Sequence, residues 1–272
     1  MSTRPRGAHR HPHLTALAAA AMVAIAAASC SSSSASSGTT TTQPTLTGSI
    51  TVSAASSLTG TFGQIGTQFQ SAHPGTTVKF NFGSSGALVT QIQQGAPADV
   101  FASASTKDMT TAQTSGDIVG KPVIFARNTL EIVVKPGNPL GIASLADLNK
   151  ATVVALCTPT APCGAAAATV LQQAGITLPT SKVTLGTDAK STLQQVTSGG
   201  ADAAIVYVTD AKTVGATGTG VPIPASRNFI TSYPIALVKG TANAALGTAW
   251  IAYVVGPKGQ KVLRAAGFLP PG

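Results

Sequence analysis

The stretch Gly83-Ser84-Ser85-Gly86-Ala87-Leu88-Val89-Thr90-Gln91-Ile92-Gln93-Gln94-Gly95-Ala96-Pro97-Ala98-Asp99-Val100-Phe101-Ala102-Ser103 decides how the rest of the chain is read. It reads as a small-residue turn, a helix, a second turn and a buried strand. The turn Gly83–Gly86 presents backbone N–H groups and two hydroxyls where a helix begins. Those N–H groups have no preceding turn to bond to, and the positive end of the helix dipole lies there too. No Lys or Arg lies inside the turn, so an anion held there is held by neutral dipoles. The competing reading makes Ser84 or Ser85 an ordinary N-cap, a frequent role for serine.

Working outward, the neighbouring segments alternate in type. Ser49–Ala54 is a short alternating strand, and Ser57 opens a helix with Leu58, Phe62, Ile65 and Phe69 on one face. His73-Pro74-Gly75 stops that helix, and Thr77–Phe82 is a second strand. Ala98–Ala102 is the third. Strand, helix, strand, helix, strand implies a parallel sheet with crossover helices, whose ligands sit at the carboxyl ends of strands. Ser57 and Ser85 both fall at such ends.

A helix over Ser105–Ser115 follows, then two strands in quick succession, Pro122–Arg127 and Thr129–Lys135. This break in rhythm marks a crossing into a second lobe. There the pattern repeats: strand Thr152–Leu156, helix Cys163–Ala174, strand Lys182–Gly186, helix Asp188–Ser198, buried strand Asp202–Val208. Tyr233–Val238 reads as the return crossing, and two closing helices carry Trp250 and Tyr253, then Val262 and Phe268. The expected fold is α/β: a two-lobed clamp, each lobe a mostly parallel sheet flanked by helices, with a cleft between them. The expected division is 48–127 plus 237–272 for the first lobe and 128–236 for the second.

The N-terminal residues read differently. Residues 1–13 carry Arg4, Arg6 and Arg10 and no acid, and Leu14–Ala28 is mostly apolar but too short for a membrane span. Residues 1–29 therefore read as a signal peptide. Ala27-Ala28-Ser29-Cys30 resembles a bacterial lipobox, which makes Cys30 a lipidation site; an ordinary secretory signal with a chance Cys is the alternative. Residues 30–47 are then a flexible Ser/Thr-rich tether, too poor in apolar groups to offset the cost of ordering.

Composition narrows the function. The chain has 272 residues and a formal net charge of +9. Three of its 17 basic residues lie in the leader, so the remainder carries 14 against eight acidic ones. They are scattered, without the clustering of a nucleic-acid footprint. Beyond Cys30 only Cys157 and Cys163 remain, bracketing Thr-Pro-Thr-Ala-Pro. Export favours a disulfide closing a short loop, with two free thiols as the alternative. A serine hydrolase using Ser57 or Ser85 would need a base, and past the leader the one histidine is His73.

Four helix starts share one character: Ser57 after Ala54-Ala55-Ser56, Ser85, Cys163-Gly164, and Thr187-Asp188-Ala189-Lys190. Aimed at one point, they would surround a tetrahedral oxyanion with N–H and O–H donors, as a desolvated charge requires. Tyr207, at the end of its strand, adds a phenolic donor or is simply a core aromatic. Lys190 is expected to point to solvent.

These residues carry a resemblance. The chain resembles the molybdate-binding protein family, the solute receptors of molybdate ABC importers, over most of 48–272. The pieces that carry it are Ala54-Ala55-Ser56-Ser57-Leu58-Thr59, the stretch Gly83–Ala104, Ile205-Val206-Tyr207-Val208-Thr209-Asp210-Ala211 and the end from Tyr233-Pro234 to Gly267-Phe268. The resemblance implies a lipid-anchored, extracytoplasmic and monomeric protein. It would bind molybdate or tungstate and deliver it to a membrane permease, without catalysis, cofactor or nucleic acid. It implies the ligand set Ser57, Ser85 and Tyr207, with the backbone N–H of Cys163 and Ala189, and no direct protein–metal bond. A receptor for another tetrahedral oxyanion, such as sulfate, is the alternative; an exported serine hydrolase is the remote one.

Overall fold

A computed structural model describes residues 46–272. The signal peptide, lipidation at Cys30 and nearly all of the tether lie outside the described residues. Strand β1 (Gly48–Ala55) buries Ile50, Val52 and Ala54 completely, one alternate face of a pleated strand. A short 3-10 turn, Ser56–Leu58, leads into α1 (Thr59–Ala72). Phe62, Ile65 and Phe69 of α1 are buried at helical spacing. There follow β2 (Thr76–Gly83), α2 (Ser85–Gln93), β3 (Val100–Ala102), α3 (Thr106–Thr114) and β4 (Ile118–Asn128).

The second half repeats this plan. It contains β5 (Leu130–Val134), β6 (Val154–Cys157), α4 (Pro162–Gln173), β7 (Val183–Gly186), α5 (Ala189–Thr197), β8 (Ala203–Tyr207), the single turn α6 (Val208–Ala211) and β9 (Thr219–Pro222). Then come β10 (Thr231–Val238), α7 (Ala244–Val255) and α8 (Pro257–Ala266).

Two five-stranded sheets result, ordered β2-β1-β3-β10-β4 and β7-β6-β8-β5-β9. In the first, β1 pairs parallel with β2 and β3, and β10 runs against β3 and β4. In the second, β6 pairs parallel with β7 and β8, and β5 runs against β8 and β9. Each sheet is thus mostly parallel with one reversed strand, and that strand is the one that follows a crossing between the sheets. The two-lobed α/β clamp read from the sequence is the architecture seen.

The crossings are short. The first is the single step from Asn128 to Leu130. The second precedes Thr231, because β10 pairs along its length with β4, from Thr231 opposite Asn128 to Val238 opposite Ile118. Residues 231–236, expected in the second lobe, therefore belong to the first sheet. Alternation identifies a strand, but only pairing decides its sheet. The two crossings are tied together: the Leu130 amide donates to Asn228 Oδ1 at 2.9 Å, and Asn228 Nδ2 donates to the Leu130 carbonyl at 2.7 Å.

Trp250 anchors the first lobe's core. It is fully buried and meets Phe62 and Phe69 edge-on, at 5.6 and 5.5 Å between ring centroids. Such pairs add about 1 kcal/mol each beyond the area they bury.

Candidate anion-binding site

The carboxyl ends of β1, β2, β3, β6, β7 and β8 deliver six connections to one place. The residues lining it include Ser57, Ser84, Ser85, Ala104, Cys163, Asp188, Ala189 and Tyr207, around about 190 Å³ of space. Only about 10 Å³ of it is open to the centre of a water-sized sphere, so the cavity is far tighter than the pockets that hold drug-sized ligands. All five residues expected as ligands line this one cavity. They are nearly sealed: Ser85 is 0 % exposed, Tyr207 1 %, Cys163 and Ala189 2 %, Ser57 6 %. The larger hollows elsewhere are surface grooves, such as that beside Gln93, Lys107 and Thr110 between α2 and α3.

Each wall has a local cause. Ser57 lies in the 3-10 turn ahead of α1, so its amide has no preceding turn to bond. Ser84 occupies the N-cap position of α2, yet its side chain makes no capping bond. Ser85 is the first helical residue, and its Oγ accepts the Ala104 amide at 2.9 Å from the end of β3. The plain N-cap reading of these serines therefore does not hold. Pro162 starts α4, where a missing N–H costs nothing, and Cys163 follows in the first turn. Asp188 caps α5: its Oδ1 accepts the Ser191 amide at 2.9 Å, while Ser191 Oγ accepts the Asp188 amide at 3.0 Å. That arrangement turns the one carboxylate on the wall toward the helix and leaves the Ala189 amide in the first turn.

Two glycines allow the close approaches. A Cβ on Gly164 would stand 2.0 Å from the Thr158 carbonyl oxygen, and one on Gly186 would stand 2.3 Å from Thr192 Oγ1. Across the cleft, a Cβ on Gly86 would come within 3.1 Å of the Thr160 carbonyl. The first lobe's α2 and the second lobe's 157–163 loop therefore meet almost backbone to backbone. Cys157 and Cys163 are joined by a disulfide, with Cα atoms 5.7 Å apart, which closes that loop.

The one charged side chain on the cavity wall is that of Asp188. No Lys or Arg lines it. Lys190, expected to face solvent, instead pairs with Asp210 at 3.1 Å. Asp210 is fully buried on α6, and burial raises its carboxyl above the ordinary range while Lys190 pulls it down. The Tyr207 hydroxyl is buried and makes no well-formed hydrogen bond, although the Thr231 and Tyr233 hydroxyls neighbour it. Its pKa is pushed well above the ordinary phenol value, first by burial and then by Tyr233 and Asp210, so it remains a protonated donor. Among the described residues, no cluster of three or more His, Cys, Asp or Glu could hold a metal ion directly.

Sequence reasoning missed the residues behind this wall. Tyr233 is 0 % exposed, and its Oη lies 2.9 Å from Ser57 Oγ. Asn128, at the end of β4, reaches both Tyr233 and Thr209. His73 stands at the C-terminal end of α1, against Phe69 and Tyr253. Ser57 precedes the other end of that 14-residue helix, roughly 20 Å away, beyond the reach of a general base.

Comparison with known proteins follows the same lines. The family described as bacterial extracellular solute-binding protein matches residues 50–269. The molybdate-binding protein ModA of Mycobacterium tuberculosis strain H37Rv is 42% identical over 225 residues, covering 82% of this chain and 85% of that one. The solved periplasmic molybdate-binding protein of Azotobacter vinelandii superposes with a TM-score of 0.75 at 26% identity, covering 82% of this chain and 100% of that one. The sulfate-binding protein SubI of M. tuberculosis H37Rv also reaches 0.75, at 20% identity over 83% of this chain and 87% of that one. At that identity the likeness shows a shared fold alone.

Proposed function

The chain belongs to the bacterial extracellular solute-binding proteins, within their molybdate-binding family, and from that premise we propose that it captures molybdate, and tungstate with it, for delivery to a membrane ABC importer. Its relatives are solute-binding proteins, not enzymes. One observation carries the proposal. Hydroxyls and first-turn amides from four helix starts, with the buried Tyr207 hydroxyl, line a sealed cavity that holds no cationic side chain. A desolvated dianion is tolerable in such a place when each oxygen takes hydrogen bonds. Neutral donors cannot tell ions of equal charge apart, so size decides between molybdate and sulfate. The molybdate-binding relative's 42% identity favours the larger ion. Cys30 is proposed as the lipid anchor and residues 31–47 as the tether that keeps the clamp near its permease.

The test is a thermal-shift and calorimetric comparison of the purified protein with molybdate, tungstate, sulfate and phosphate. Binding to the folded state alone stabilises by about 2.7 kcal/mol at a hundredfold excess over Kd. The expected result is a rise of several degrees with molybdate and tungstate and much less with the other two. A larger shift with sulfate overturns the choice of ion. For the anchor, Cys30→Ala is expected to move the protein out of the membrane fraction; unchanged fractionation refutes lipidation.

A further inference from the structure

The segment Gly267–Gly272, which leaves α8, runs along the crossings between the lobes. Gly267 closes α8 in the left-handed region (φ 101°), and the amides of Gly267 and Phe268 return to the carbonyls of Arg264 and Leu263. Phe268 is buried edge-on against Tyr233 of β10, at 5.3 Å between ring centroids. Leu269 pairs with the outer edge of β4. Its amide donates to the Arg127 carbonyl at 2.8 Å, and the Arg127 amide donates back to the Leu269 carbonyl at 3.0 Å. Arg127 Nε donates to the Pro270 carbonyl at 2.8 Å. On its inner side Arg127 stands opposite Ser232 of β10. The backbone beside the first crossing is thus held on both flanks by the first lobe, which confines bending to Asn128–Leu130. The second lobe reaches this strap with one side chain. Lys212, at the C-cap of α6, lies over Gly267: a Cβ there would stand 2.8 Å from Lys212 Nζ and 3.0 Å from its Cδ. A helix end leaves its last carbonyls unpaired and carries the negative end of the dipole, so an ammonium there is attracted. The carboxylate that feels Lys212 within its own lobe is Glu131, whose pKa burial raises and Lys212 lowers. None of these residues lines the cavity.

We infer that Lys212 and the carboxyl end of α8 form a latch between the lobes, held in place by the Gly267–Gly272 strap, that favours the closed clamp and so raises affinity for the ion without touching it. The inference rests on the oxyanion-receptor reading above and adds to it a residue that sets affinity from outside the cavity. The donors to the ion are nearly sealed, so the arrangement that carries the contact is the closed one. Opening turns the lobes about Asn128–Leu130. Lys212 and α8 belong to opposite lobes, so the same motion alters their contact. Where only the closed form completes the donor set, the apparent Kd is the intrinsic value divided by the closed fraction. A latch that meets no donor therefore changes the affinity for every ion by one factor and leaves the preference between ions alone.

The experiment is a calorimetric titration of wild type, Lys212→Met, Lys212→Glu and Arg264→Met with molybdate and with tungstate at low ionic strength. Lys212→Met removes the charge and keeps the stem. Its Kd is expected to rise about threefold for both ions, with their ratio constant within about 1.5-fold. Lys212→Glu turns attraction into repulsion and is expected to weaken both about tenfold. Arg264 is exposed in the last turn of the same helix, so Arg264→Met removes an equal charge without meeting the second lobe. It is expected to leave both Kd values within about 1.5-fold of wild type. Unchanged Kd in the Lys212 variants, tighter binding, a shifted ratio between the ions, or equal weakening by Arg264→Met each overturns the latch. Lys212 is itself exposed, and Lys212→Met decides the matter should Lys212→Glu not fold. If the wild type binds sulfate and not molybdate, the choice of ion fails and the common factor is read with sulfate and selenate. Binding of no oxyanion by the wild type overturns both readings.

Discussion

The Lys190 ammonium sits 3.1 Å from the carboxylate of Asp210, a side chain with no exposure to solvent. The pair stands beside the Ala189 amide, so the cation nearest the cavity in sequence is already spent on a protein charge. Removing one member of a buried pair strands the other. Lys190 is partly exposed, which moderates the effect, and Lys190→Met is expected to cost about 1–3 kcal/mol of stability. The pH dependence follows from Asp210. Its folded pKa is raised, so the folded state favours the protonated form and stability falls as pH rises through that value. Loss of Lys190 pushes the carboxyl higher still, so the deficit should be smallest near pH 4 and grow toward neutrality. Lys190→Met is expected to weaken molybdate binding, and Lys190→Met with Asp210→Asn to restore it within about threefold. A double variant as weak as the single one would show that Lys190 serves the anion directly.

The serines are the sharper test of neutral donors. Ser57→Ala and Ser85→Ala each remove one hydrogen bond to a charged ligand, worth about 1.5–3 kcal/mol, or roughly ten- to a hundredfold in Kd. Ser85→Ala also leaves the buried Ala104 amide without its acceptor, and Ser57→Ala leaves the buried Tyr233 hydroxyl without that partner, so a lower melting temperature is expected for both variants. Calorimetry and thermal denaturation read the two effects separately. Unchanged affinity in both variants would remove the serines from the ligand set.

The Cys157–Cys163 bridge closes a loop six residues apart in sequence. A loop of that size is worth about 2 kcal/mol in the chain-entropy account. The double Cys→Ser variant should therefore melt several degrees lower, at about 2–4 °C per kcal/mol for a chain of this size. Since the loop carries Thr160 and ends at Cys163, molybdate affinity should fall as well. Stability lost with affinity intact would mean that the first turn of α4 is positioned without the bridge.

Asp202 should set an acid limit to stability. Its carboxylate accepts from Lys135 at 2.7 Å and from the Thr152 and Val153 amides at 2.8 and 3.1 Å. These bonds, Lys135 foremost, hold it below the usual carboxylate range. A depressed folded pKa contributes stability that is present above about pH 4 and lost as pH falls through the lower folded value. Asp202→Asn should be less stable by about 1 kcal/mol at neutral pH, because the pair is partly exposed. That gap should close on acidification below about pH 4. A gap that persists in acid would assign the loss to packing instead of charge.

What the sequence made legible and what it hid differ in kind. The helix starts were readable because small polar residues ahead of apolar periodicity are a local signal, and Ser57, Ser85, Cys163 and Ala189 are all such positions. Tyr233 and Asn128 carry no local signal. Their roles arise from contacts across 176 residues to Ser57 and 81 residues to Thr209. The return crossing was misplaced for the same reason. Strand β4 was read short, as Pro122–Arg127, because Gly120 and Pro122 look like a break. The strand lies at the sheet's edge, where a missing N–H is tolerated. Strand β9, with Gly220 and Pro222, escaped notice on the same ground. Lys190 was assigned to solvent because the residue that claims it, Asp210, sits on a single helical turn too short to read.

The seam between Gly86 and the Thr160 carbonyl also sets a clock. With the donors sealed behind it, an ion can neither arrive nor depart while the lobes are shut. Release then requires the halves to part at the two crossing strands, which also breaks the ion's bonds to one lobe. Dwell time is then set by the hinge at Asn128–Leu130 and Asn228 together with the donors to the ion.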